Sequence, residues 1–309
     1  MKVFAVGDLC LDVLCSIREH ASLGEEKHIY NLNFSLGGNA ANFSFAAAEL
    51  GFDVELLSAI GKDFASDFLK KQLNSAGVKA HLQEFPSMNS FSILLVNPDG
   101  QKSTYSSKGA LENLTAEHVE KELLPRLKQG DLVFFGGYFH MYGLHKGFLR
   151  LLKKIREKNC TVAFDLCFDE FQKWRILEFL PLIDFLFLND LELQRLTKKS
   201  NEKAAISFLL EKGATKIVLK KGPKGSAFFA KKISCHAKAV KAPAVDTTGA
   251  GDIFNAAFLK AFFEDLNCKK CLEFANFAAS RKISRHGLFL PERSILNKKI
   301  LYLQKQRNK

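Results

Sequence analysis

In the last third of the 309-residue chain, Asp246-Thr247-Thr248-Gly249-Ala250-Gly251-Asp252 runs straight into the apolar segment IFNAAFLKAFF. Small residues at 249 to 251 let the backbone approach a ligand closely, and a helix starting there offers unpaired N–H groups and a positive dipole end to a phosphate. A carboxylate beside a phosphate pocket would ordinarily repel the ligand. Asp252 makes sense there if it takes a proton from a hydroxyl that attacks the phosphate. The chemistry is then phosphoryl transfer to an alcohol, with Asp252 as general base and the backbone of Gly249, Ala250 and Gly251 as anion hole. The same residues also read as a tight strand-to-helix turn with Asp252 in the first helical turn.

A second segment, GGNAANFSFAAAELGFDVELLSAIG at 37 to 61, combines a glycine pair, Asn42, a small-residue helix closed by Gly51, an apolar strand and Gly61. Together the two segments resemble the ribokinase-like (PfkB) carbohydrate kinase family, whose two signatures they match in order and internal spacing. The opening Val3-Phe4-Ala5-Val6-Gly7-Asp8, followed by Asp12, is similar to the family's first strand. By pattern alone it is a buried strand reaching the rim of a sheet, where α/β proteins put ligands. The resemblance implies that Asp12, Gly38, Asn39 and Asn42 hold a sugar. Asn189-Asp190-Leu191-Glu192 looks like the family's N-x-x-E motif. An amide and a carboxylate suit the waters of a magnesium ion, and Asn189 with Glu192 three residues on is also a capping box; both roles can coexist. Lys216 to Gly225 resembles the nucleotide-binding strand and loop, implying that Lys220, Gly222 and Gly225 lie near ATP; its other reading is a plain hairpin turn before the apolar run Ser226 to Ala230. Ala275 to Ala279, with Asn276, and Arg285-His286-Gly287 match the family's closing helix and loop beside the adenine. ATP and Mg2+ are the implied cofactors. A potassium site built on the Asp246 and Thr248 region is left open, because the C-terminal loop is shortened.

Departures from the family bear on the substrate. Where D-x-N-x-R is common, the chain has Asp165-Leu166-Cys167-Phe168-Asp169, and an aspartate in the arginine position is poor chemistry for a substrate carboxylate. Asn39 stands where true ribokinases carry lysine, and Gly136 to His140 offers no clear counterpart of their substrate-binding glutamate. A small sugar is the first expectation. A nucleoside is the rival, with Tyr138, Phe139 or Phe91 available to stack on a base, and a non-catalytic sugar- or nucleotide-sensing protein is a reading from another class.

These residues must be positioned by elements whose order is legible. Apolar runs near 3–7, 54–60, 132–136, 161–165, 184–188 and 216–220 alternate with helical segments, one of them carrying Leu144, Phe148, Leu151, Leu152 and Ile155. That pattern predicts a three-layer α/β/α sandwich around a mostly parallel sheet, as a single domain over 1–309. Insertions at about 12–36 and 90–107 break the alternation, the second as a hairpin through Asn97-Pro98-Asp99-Gly100. In the family such strands form a small β-sheet lid over the sugar, and an exposed lid edge makes a homodimer reasonable.

A 47% hydrophobic content with 29 phenylalanines fits a well-filled core. No apolar span approaches the ~20 residues of a membrane helix and no signal core opens the chain, so a cytoplasmic protein without a membrane partner is expected. Seven scattered cysteines argue against a disulfide framework and for reduced thiols, with Cys268-Lys269-Lys270-Cys271 lacking the further ligands of a zinc site. The net charge of +12 is spread through the chain rather than gathered into a patch, so no nucleic-acid partner is expected.

Overall fold

The computed structural model describes residues 1–99, 102–168, 173–243, 245–285, 287–288 and 290–306. The chain starts as β1 (Lys2–Gly7), turns into β2 (Cys10–Ile17) and β3 (Ile29–Gly37), and returns as β4 (Asp53–Ile60) and β5 (Lys79–Glu84). There follow β6 (Ser90–Val96), β7 (Lys102–Ser107), β8 (Leu132–Gly136), β9 (Thr161–Asp165), β10 (Phe185–Asn189), β11 (Lys216–Lys220), β12 (Ser226–Ala230) and β13 (Ile233–Ala237). One nine-stranded sheet has the order β13-β12-β11-β10-β9-β8-β1-β4-β5, and β3-β2-β6-β7 form a separate four-stranded sheet. The large sheet is parallel from β11 to β5. It is antiparallel only across β11-β12-β13.

Side-chain alternation explains the layers. Val3 and Ala5 of β1, Phe134 of β8 and Phe187 of β10 join one core with the helices Asn39–Glu49, Ala250–Phe263 and Cys268–Ile283. Phe4, Val6, Phe135 and Leu188 join the other core with the helices Ala116–Leu123, Phe148–Glu157 and Glu202–Glu211. Every central strand is therefore apolar on both faces, which is what covering helices on both sides require. The helix Ala250–Phe263 is buried almost all round, as its near-continuous apolar sequence demands.

Some expectations need correction. Leu144 and Phe148 are both fully buried but do not share one helix, because Gly147 (φ 99°) separates Tyr142–His145 from Phe148–Glu157. The strand β5 was not foreseen; its mixed sequence KAHLQE suits a half-buried edge. The cysteines are not all reduced: Cys235 of β13 and Cys268, first residue of its helix, are paired as a disulfide. The helix packs against β13 and brings together thiols 33 positions apart, a proximity that cysteine spacing does not encode. Cys271 is buried and free, and among the described residues no three His/Cys/Asp/Glu side chains converge closely enough to ligate a metal ion directly. Among the described residues no helix is long and apolar enough to cross a membrane. Gly100 and Gln101 of the hairpin turn, Asp169 and His286 lie outside the described residues.

Candidate active site

The chain reverses direction across the sheet between β1 and β8, and a cavity of about 810 Å³ opens at the carboxyl ends of these strands. Asp8 follows β1, His140 follows β8, and Asp165, Asn189 and Lys220 are the last residues of β9, β10 and β11. All five line the cavity, and its roof carries Asp12 of β2, Ser92 and Leu94 of β6, and Lys102 and Thr104 of β7. The small sheet thus stands over the ends of the large one.

Asp252 lines this cavity in the first turn of Ala250–Phe263 and is only 5% exposed. Asn39 Nδ2 donates to its Oδ1 at 3.1 Å, and Asn42 Nδ2 to its Oδ2 at 3.1 Å. Asn39 and Asn42 are one helical turn apart, so one helix face presents both amides. Burial pushes the Asp252 carboxyl well above the usual range; Asp165 adds to this, and Lys220 and the Asn42 amide oppose it. The buried Oδ1 of Asn42 has no hydrogen-bond partner within the protein.

The cradle residues meet at the same place. Gly249, at φ 74°, precedes the helix where an added Cβ would stand 3.2 Å from Leu288 Cδ1 and 3.3 Å from Asn42 Nδ2. Gly38, at φ 99°, precedes Asn39–Glu49, and a Cβ there would lie 2.4 Å from the Asp8 carbonyl oxygen. Both positions therefore demand glycine. Of the expected anion-hole amides, the Ala250 N–H already donates to the Thr247 carbonyl at 3.2 Å.

Lys220 Nζ donates to both oxygens of Asp165, at 2.9 and 3.0 Å, and Asn255 Nδ2 donates to Asp165 Oδ2 at 2.7 Å. Burial would depress the lysine, but Asp165 and Glu192 outweigh it and hold its pKa above the ordinary value. Asn189 and Glu192 complete a capping box: Glu192 N–H donates to Asn189 Oδ1 at 2.9 Å, and Asn189 N–H to Glu192 Oε2 at 2.7 Å. Burial, together with Asp165 and against Lys220, pushes Glu192 up to about 7. Asp165, Glu192 and Asp252 thus share a single lysine, and a donor set with that surplus of negative charge fits a magnesium ion bound through its waters. Asp12 is pushed up to about 6, first by burial and then by Asp8, while the Cys10 thiol donates to its Oδ1 at 3.3 Å. Asp8 stays below the ordinary range: burial alone would raise it, but His140 and the Ala40 N–H reverse the effect.

Asp12, Gly38, Asn39, Asn42, Asn189, Glu192, Lys220, Gly222, Gly249, Gly251 and Asp252 all line the cavity. Gly225 and Asn276 do not. Gly225 closes the turn between β11 and β12, where its carbonyl accepts from Lys221 N–H at 2.9 Å. The Asn276 amide donates to the carbonyls of Ala237 at 3.3 Å and Lys238 at 3.1 Å. The aromatic candidates also lie elsewhere: Tyr138 and Phe139 are buried in the core, and Phe91 packs against Phe64. Among the described residues, the phenyl ring in the lining is that of Phe168. His140 and Lys102 were not singled out from the sequence, since a lone histidine and a lysine in a polar strand carry no local signal.

A potassium ion does not fit the Asp246 position. The ammonium of Lys282 stands 3.0 Å from the Asp246 carbonyl oxygen and 2.9 Å from its Oδ2, so both oxygens already face a cation.

Residues 1–294 match the model of the pfkB family carbohydrate kinase. A ribokinase of Staphylococcus aureus is 24% identical over 295 residues, covering 93% of this chain and 94% of its own. A nucleoside kinase of Methanocaldococcus jannaschii is 28% identical over 279 residues, with 87% and 86% covered. The structure of Arabidopsis thaliana ribokinase complexed with ribose and ATP superposes with a TM-score of 0.80 at 24% identity, covering 97% of this chain and 98% of that one. The fold is accordingly ribokinase-like, and kinases of this family use ATP with Mg2+. The chain belongs to the pfkB family of carbohydrate kinases and is a phosphotransferase that acts on an alcohol group of a sugar or nucleoside.

Proposed function

We propose that the protein transfers the γ-phosphate of ATP to a hydroxyl of a small sugar, with Asp252 as general base. The observation that carries this reading is the buried Asp252 carboxyl at a helix N-terminus, each oxygen held by one asparagine amide and facing the cavity. A base whose pKa is raised above the ordinary carboxylate range holds an accepted hydroxyl proton more firmly than an exposed carboxylate would. As the proton moves to Asp252, charge grows on the transferring group, and the Gly249 and Gly251 N–H groups with the helix dipole stabilise it. Bound magnesium would neutralise phosphate charge, with Asn189 and Glu192 holding its waters.

The sugar side carries carboxylates and hydroxyls. Asp12 and the Asp8–His140 pair line the cavity beneath the small sheet with Ser92 and Thr104, and the hydroxyls of a polyol can donate to the two carboxylates. Among the described residues the lining holds no aromatic pair between which a base would stack, which favours a sugar over a nucleoside. The small sheet acts as a lid that excludes water from the phosphate donor, an insertion within a single domain over 1–309. Its outer face exposes Ile29, Leu32, Phe34, Ile93 and Tyr105, each more than 40% accessible, so a second copy of the chain is the proposed partner. Dependence on ATP supports a cytoplasmic place of action.

The test is ATP consumption measured across pentoses, hexoses, their monophosphates and nucleosides with Mg2+. Turnover with one sugar and not with the matching nucleoside is the expected result. Binding of sugars without any ATP consumption would identify a sensor, and preferred turnover of nucleosides would reverse the substrate assignment.

A further inference from the structure

Lys282, near the end of the helix Cys268–Ile283, is fully buried, and no part of the proposed phosphoryl transfer uses it. Its surroundings are specific. Two of its three N–H bonds go to one residue, Asp246, through the main-chain carbonyl and through Oδ2. The same Oδ2 accepts the Gly287 N–H at 3.0 Å, and Asp246 Oδ1 accepts the Thr248 N–H at 2.9 Å. The next helical residue, Ile283, accepts the N–H groups of Val245 at 2.7 Å and Asp246 at 3.1 Å through its carbonyl. The strand of backbone that leads into the glycine cradle is therefore pinned at Asp246 from three sides, with the ammonium at the centre.

A carbonyl and a carboxylate oxygen converging on one positive centre is how proteins replace the hydration shell of a monovalent cation. An ammonium group has nearly the size of a potassium ion and makes directed bonds to the same oxygens. Besides Asp246, the Lys102 ammonium of the cavity lining acts on Lys282 with like sign, so a second cation in this space is opposed.

We infer that Lys282 is a built-in monovalent cation, whose ammonium holds Asp246 and thereby the Thr247–Gly251 cradle in working position, making the kinase independent of potassium. Lys282 is a positioning residue, acting on the reacting atoms through Asp246, Thr248 and the start of the helix that carries Asp252. The inference rests on the kinase reading for its kinetic arm only.

The wild-type protein decides first. With tetramethylammonium as the balancing ion, turnover and melting temperature are expected to stay constant within about 1.5-fold and about 1 °C as potassium rises to ~100 mM, conditions that screen surface charge equally. Severalfold activation, or a potassium-dependent rise in melting temperature, overturns the inference. In Lys282→Gln the shorter side chain no longer carries a charge to Asp246, so a drop in melting temperature and a loss of turnover of about 10-fold or more are expected. Potassium or ammonium should then raise the melting temperature of the variant without any nucleotide, and raise turnover with it, while lithium should do neither. A folded Lys282→Gln protein that matches wild type without added cation, or that no monovalent cation stabilises, overturns the inference. The melting arm needs no catalysis, so its failure is separable from a failure of the kinase assignment.

Discussion

Asp252 is held by two amides donated from a helix more than 200 residues away in sequence, and its proton affinity is set mainly by burial. Replacing it by asparagine removes the base while keeping the shape. Asp252→Asn should lower kcat by about 10²–10⁴ while an ATP analogue still raises the melting temperature, both measured on one preparation. Near-normal turnover with nucleotide binding intact would show that another group takes the proton. The pH dependence follows from the same burial. For catalysis the base must be ionised, so kcat/KM should fall as pH is lowered, with an apparent pKa above the ordinary carboxylate range; the limb in kcat should lie lower, because bound Mg2+ favours the ionised carboxylates. For stability the sign is opposite. Asp12 at about 6 and Glu192 at about 7 bind protons in the folded protein that the unfolded chain has already released. The ligand-free melting temperature should therefore rise as pH is lowered from about 8 to about 6, and Glu192→Gln should flatten that rise.

At the scale of elements, the helix Asp190–Thr197 begins with the reciprocal bonds of Asn189 and Glu192, at the mouth of the same cavity. The cap and a role toward magnesium make different demands on Asn189. Asn189→Ala should cost about 1 kcal/mol of stability through the lost cap, while Asn189→Ser keeps a cap oxygen and should restore most of it. Both should raise the Mg2+ concentration needed for half-maximal turnover, since neither reaches as far as the amide. Thermal melts and Mg2+ titrations of turnover separate the two roles; if Asn189→Ser is wild-type in both, Asn189 is a cap alone.

Across the whole molecule, the small sheet offers two unlike faces. Asp12, Ser92 and Thr104 look into the cavity, whereas Phe34, Ile93 and Tyr105 are exposed on the other side. Strand pairing sets Val13 opposite both Phe34 and Ile93, so these apolar side chains share one face. If two copies join through it, Phe34→Glu should halve the mass measured by light scattering and weaken sugar binding, because a freed lid closes less firmly. A wild-type protein that stays monomeric at high concentration rules this pairing out.

The glycine cradle with Asp252, the Asn189–Glu192 box and the alternating apolar strands were all legible, because each is written within a few residues and depends on backbone conformation or period. The mostly parallel sheet and the separate small sheet follow from that same local grammar, whereas the order of the strands and the edge strand β5 do not. Other features depended on how the layers pack. The grip of Asn39 and Asn42 on Asp252, the Asp165–Lys220 pair, the Lys282 bond to Asp246 and the disulfide between Cys235 and Cys268 join residues that no spacing connects. Whether Tyr138 faces a ligand or the core was likewise decided by packing, where burying an aromatic ring against Phe148 and Phe164 outweighs leaving it at a cavity wall. Short-range chemistry was thus set by the order of residues, whereas burial, which sets the proton affinities and the partners of those residues, exists only once the layers close on one another.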